Sequence, residues 1–183
     1  MKRNIIIYGL IAGIVVSILM VFSINYISHV EGKVDYNTSL LIGYASMLIA
    51  FSLVFVGIRN YRDKYNGGVI SFGKAFKTGI VIVLIASTMY VVVWLIDYFF
   101  FIPDFMEKFS AQELDKLKAS GASQAEIDKE TIKMANMVRM FKNPLFNAMM
   151  TYTEILPVGL IVTFISSLIL RRKTVKIEQK ISS

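Results

Sequence analysis

The sequence predicts an all-α integral membrane protein with four transmembrane helices. Both termini are expected on the cytoplasmic side, with an extracytoplasmic helical hairpin between spans three and four. Three observations predict this. The 183 residues are 55% hydrophobic with mean hydropathy +0.59, above the roughly 45–50% apolar share of soluble domains. The apolar residues gather in four runs, each about long enough to cross a ~30 Å hydrocarbon core as a helix. The basic residues fall at the N-terminus, between runs two and three, and in the tail.

The first run, residues 5–27, follows Lys2 and Arg3. It exceeds the apolar stretch of a secretory signal and no A-x-A-like cleavage site follows, so it reads as a retained span. Gly9, Gly13 and Ser17 have small-x-x-x-small spacing, which suits packing inside the bundle, with homodimerisation as the alternative. His29 is assigned to the loop that follows. The second run is 40–58, the third 79–102 and the fourth 145–170. Together they make one membrane domain over 1–172, leaving 173–183 as a basic tail.

Charge sets the expected orientation. The segment 59–78 carries Arg59, Arg62, Lys64, Lys74 and Lys77 against Asp63, and the tail from 171 carries five basic residues against Glu178. The first loop has Glu31, Lys33 and Asp35, and the third has seven basic and seven acidic residues. Four crossings put the basic segments on one side, which the positive-inside rule makes cytoplasmic. The net charge of +7 is thereby explained by topology, and nucleic acid is not an expected partner. The expected partners are the bilayer and anionic headgroups facing Lys74 and Lys77.

Within 59–78 lies "GVISFGKA", one residue from a phosphate-binding loop. Such a loop needs a preceding strand and a Ser or Thr for the metal. Here Ala75 takes that place and a membrane span precedes it. Asn66-Gly67-Gly68 instead reads as a turn and Ser71 as an N-cap. Phe72, Ala75, Phe76 and Gly79 then form one apolar helix face.

The insert over 104–143 contains two capping boxes, "SAQE" at 110–113 and "SQAE" at 123–126, with Gly121 between them. They predict a short helix near 111–119 and a longer one near 124–141. Ile127, Met134, Val138 and Phe141 make an apolar stripe on the second. Trp94 and Tyr98 to Phe101 crowd the outer part of span three, as an aromatic belt or as ordinary packing.

Two carboxylates lie inside spans. Glu154 is about ten residues into span four, roughly 14 Å deep by helix rise, and Asp97 is shallower in span three. Both lie towards the outer side, which allows them to approach one another as an intramembrane proton or cation site, with a structural polar network as the plainer reading. With no basic residue in any span, Glu154 is expected to be protonated, or bonded to Tyr152, Thr151, Thr153 or Thr163.

The segment "YRDKYNGGVISFGKAFKTG", Tyr61 to Gly79, resembles the signature loop of a bacterial family of integral membrane proteins catalogued as domain of unknown function 4199. The matching positions include Tyr61, Arg62, Gly67, Gly68, Ser71, Phe72, Phe76 and Gly79. The resemblance extends over about 1–172 and implies a bacterial inner-membrane location. It implies no activity, cofactor or catalytic residue.

Function classes narrow by subtraction. With no cysteine and one histidine, thiolate chemistry and two-histidine metal sites are excluded, and no cofactor is expected. No nucleophile–base pattern is visible. The reading is a non-enzymatic envelope interaction or scaffold protein. The alternative is a small transporter or channel subunit using Glu154 and Asp97, and the third is a membrane enzyme.

Overall fold

The computed structural model describes residues 2–29 and 36–172, with side chains described over 3–24 and 41–172. The charged residues of the first loop and the tail from 173 lie outside the described residues. The elements are α1 (Lys2–His29), α2 (Tyr36–Tyr65), α3 (Phe72–Ile96), a π-helical turn (Asp97–Phe101), α4 (Phe105–Ala119), α5 (Gln124–Phe141) and α6 (Pro144–Leu170). Four segments are long and apolar enough to cross a membrane: Arg3–Ile24, Leu41–Tyr65, Phe72–Phe101 and Pro144–Leu170. Among the described residues the only β-pairing is an antiparallel bridge between Ile70 and Arg172. His29, expected in a loop, closes α1, because nothing before it breaks the helix.

The chain divides into two compact units, Met1–Met89 with Ile155–Ser183, and Tyr90–Glu154. Helices α3 and α6 contribute to both. In the first unit the packing order follows from close contacts. Asn4 Nδ2 donates to Asn60 Oδ1 at 2.9 Å, joining the start of α1 to the end of α2, so these run antiparallel. A Cβ added at Gly9 would lie 2.8 Å from Ile85 Cβ, and one at Gly13 would lie 2.7 Å from Met89 Sδ. The small-residue stripe of α1 is thus spent on α3, which lies parallel to it. Gly159 of α6 packs on Val83, and Gly79 of α3 on Thr163, so α3 and α6 are antiparallel.

The interior mixes large apolar residues such as Phe51, Ile58 and Ile82 with small or hydroxylated ones, among them Ala12, Ala50, Ala86, Ser87, Thr163 and Ser167. Large aliphatic residues such as Ile14, Ile18, Leu48, Ile161 and Ile169 point outward. A water-facing bundle would reverse this, whereas a bilayer solvates the outer apolar surface and leaves close backbone approach to hold the helices. The buried Ser167 hydroxyl donates to the carbonyl one turn back, Thr163 O at 2.7 Å.

The second unit is aromatic. Trp94 packs against Tyr98 and, edge-on, against Phe105, and Phe141 against Tyr98 and Phe146. Burial of Met106 from α4 and Met134 from α5 completes the interior. Lys142 Nζ reaches Glu107 Oε1 at 3.2 Å. The capping box at Ser123 forms: Glu126 N donates to Ser123 Oγ, and Ser123 N to Glu126 Oε2 at 2.8 Å. The Ser123 hydroxyl, donating to Glu126 Oε2 at 2.8 Å, and then the Ser123 backbone N–H hold the Glu126 carboxyl below its ordinary value. Gly121 takes φ +79° in the connecting turn.

The other expected box is corrected. Ser110 to Glu113 lies inside α4, which starts at Phe105. Docking of Phe105 on Trp94 and burial of Met106 extend the helix backwards, and tertiary packing overrides the local start signal. Pro144 is the first residue of α6, where a missing N–H costs nothing. Asn143 Oδ1 caps that helix, accepting from Leu145 N at 2.9 Å.

Candidate functional site

The family-signature segment folds as a closure between helices. Its two glycines take φ +63° and +77°, conformations that cost other residues a steric penalty. Gly68 N–H then reaches back to Arg62 O at 3.0 Å. Asn66 fastens the turn from inside, donating to Val69 O and accepting from Lys74 Nζ. Lys74 also sits 5.6 Å above the ring of buried Tyr61. Ile70 and Arg172 exchange both backbone bonds, at 3.2 and 2.9 Å, which ties the turn to the chain leaving α6.

Arg62, expected as a topology anchor, has a further role. It is buried, with Nε 2.6 Å from Asp63 Oδ1 and Nη1 donating to Leu170 O at 3.3 Å. It therefore caps the last carbonyls of α6 with a cation, the sign the helix dipole favours there. Ser71 is the N-cap of α3, its Oγ accepting from Lys74 N at 3.4 Å. Phe72 and Phe76 stack at 5.6 Å and meet the edge of Phe164 at 5.7 and 6.5 Å. A Cβ at Gly79 would lie 2.5 Å from Thr163 Cγ2. All eight signature positions thus serve the join between α2, α3 and α6.

The two intramembrane carboxylates have different surroundings. Asp97 opens the π-helical turn, its carbonyl accepting from Ile102 N at 3.0 Å across five residues. Its side chain is buried, and Oδ2 has no hydrogen-bond partner among the described residues. Single π-turns recur at functional sites because they re-aim one side chain. Near it, Trp94 Nε1 donates to Asn147 Oδ1 at 2.7 Å, and Asn147 is fully buried. Asn147 was missed in the sequence; a lone amide inside span four was the available signal.

Glu154 is exposed on α6 and, among the described residues, makes no hydrogen bond or ion pair. The expected bonds to Thr151 and Thr153 do not form: these donate to Asn147 O at 2.9 Å and Met150 O at 2.6 Å. Nor does the structure unite the carboxylates. Trp94 pairs with Asn147; Asp97 lies three residues beyond this pair on α3, and Glu154 seven residues to the other side on antiparallel α6. Ten residues of rise separate their levels by roughly 15 Å. Among the described residues no group of three His, Asp or Glu could hold a metal.

Four apolar spans packed through small residues define a multi-pass membrane protein. The chain belongs to the family described as Protein of unknown function (DUF4199), whose model matches residues 7–172. No curated protein and no solved structure matches it.

Proposed function

We propose that this protein is a non-enzymatic scaffold of the bacterial inner membrane, with both termini cytoplasmic and the α4–α5 hairpin offered outside to a protein partner. The observation that carries the reading is the outward face of α5. Ile132 is 65% exposed and Met140 46%, one turn to either side of exposed Asn136. This i, i+4, i+8 row, flanked by Lys129 and Arg139, has the spacing by which a helix seats apolar anchors in a partner's groove. Exposed Arg59, Lys64 and Arg171 support a cytoplasmic placement of the signature turn against anionic headgroups. With no cysteine and one histidine in the chain, an enzymatic reading has little chemistry to draw on.

A photo-crosslinking amino acid at position 132 tests the reading in cells. The expected result is one discrete protein adduct that Met140→Glu weakens. Adducts to lipid alone, or a profile unchanged by Met140→Glu, contradict it.

One observation favours a second reading, a small transporter or channel subunit: the unpartnered Asp97 Oδ2 in its π-turn. On that reading Asp97→Asn abolishes a pH-dependent cation flux into proteoliposomes while the fold persists. Absence of flux for protons and common cations in the unaltered protein removes it.

A further inference from the structure

Glu154 is a polar group on a face of α6 that hydrocarbon would solvate, and it is not alone there. Pro157, also exposed, has no amide hydrogen, so the carbonyl of Thr153 loses its ordinary helical donor. The Thr153 hydroxyl does not compensate, since it donates to Met150 O at 2.6 Å. One exposed site therefore holds a carbonyl that lacks its ordinary amide donor, that of Thr153, beside a carboxyl. Hydrocarbon tolerates a carboxyl as the neutral acid, which carries an O–H donor. Lipid tails offer neither group a partner.

The two groups are neighbours in the chain and so lie within about 1.5 Å of the same level along the helix. Two copies related by a two-fold axis along the membrane normal bring equal levels together. Each copy's acid then faces the other's Thr153 carbonyl, and both are satisfied at once. The same face carries a seam: Met150, Glu154, Pro157, Ile161, Phe164 and Leu168 are all exposed and recur at alternating spacings of four and three. That is the 3.5-residue period of parallel helices packing side by side.

We propose that α6 is the interface of a parallel two-fold homodimer, in which Glu154 of each copy donates a hydrogen bond to the Thr153 carbonyl of the other. The partner is a second copy because this donor and acceptor form a self-complementary set at one depth. The proposal is independent of the hairpin reading, which concerns α5.

The cysteine-free chain allows a direct test with the full protein in its native membrane. Single substitutions Met150→Cys and Ile161→Cys are oxidised with copper phenanthroline. They are compared with Ile18→Cys on α1 and Leu48→Cys on α2, sites that are 62% and 53% exposed. Disulfide-linked dimers are expected from positions 150 and 161 and not from 18 or 48. Adding Glu154→Leu to Ile161→Cys lowers the dimer yield about tenfold, for two interhelical hydrogen bonds. Glu154→Gln, which keeps a donor, retains the yield and shows that loss in the leucine variant is not misfolding. Equal crosslinking on all helices, none at 150 and 161, linkage to a different protein, or indifference to Glu154→Leu overturns the proposal.

Discussion

The polar groups of the signature turn and the two intramembrane carboxylates, Asp97 and Glu154, stand in opposite states. In the turn, Arg62 is paired with Asp63 and Leu170 O, Asn66 with Val69 O and Lys74, and Ser71 with Lys74 N. In the Tyr90–Glu154 unit, Asp97 Oδ2 is buried without a partner and Glu154 projects from α6 with none. A distinctive sequence can therefore mark structural closure, while groups left unsatisfied point to where something else must bind. The contrast also relocates the question of function. The segment that carries the family resemblance is explained by packing, and the candidate chemistry lies at residues that the signature does not contain.

The comparison is most easily broken at Gly79. Valine there drives a Cβ into Thr163 and Ile58, and overpacking of this kind costs about 3 kcal/mol or more. Thermal unfolding in detergent should show loss of the cooperative transition, whereas Gly73→Ala, with nothing within 4 Å, should leave it intact. Next comes Arg62→Leu. It strips the donor from Leu170 O and the closer of two cationic partners from Asp63, which keeps Arg59 at 3.7 Å, and lowers stability by about 2 kcal/mol. Arg62→Lys should recover only part of this, because an ammonium lacks the planar fork.

Asp97→Asn sharpens the contrast from the other side. Removing a buried carboxyl that has no partner for Oδ2 should leave stability within about 1 kcal/mol of the parent or raise it. A loss as large as that of Arg62→Leu would mean that Asp97 is structurally paired after all, and the two regions would no longer differ.

The smallest effect is expected at the α5 cap. Ser123→Ala should lower local helix stability by about 1 kcal/mol, read as faster amide exchange at Glu126. The Glu126 carboxyl is held below its ordinary value in the folded state. Its contribution is therefore present above the ordinary glutamate value and fades as pH falls through the lowered one. Protection at the cap, corrected for the intrinsic exchange rate, should fall only in acid, and Glu126→Gln should remove that dependence.

Much of the fold was legible in the sequence because a bilayer permits few solutions for four long apolar runs. The capping box at Ser123 and the turn at Gly67-Gly68 were legible because both act through neighbouring residues. The start of α4 was not, since Phe105 is held by Trp94, a residue distant in the chain. The role of Arg62 was hidden for the same reason: its acceptor is 108 residues away. The suggested meeting of Asp97 and Glu154 rested on depth alone. Depth in a span does not give the register between helices, and the Trp94–Asn147 pair sets that register with the carboxylates ten residues apart.

The proposed function requires a topology in which the signature turn is cytoplasmic and the α4–α5 hairpin is not. Single cysteines at exposed positions 64 and 118, labelled in intact cells with an impermeant maleimide, test this most directly. The account predicts that Lys118→Cys reacts in intact cells and that Lys64→Cys reacts only after the membrane is opened. Equal labelling of both from outside would contradict it.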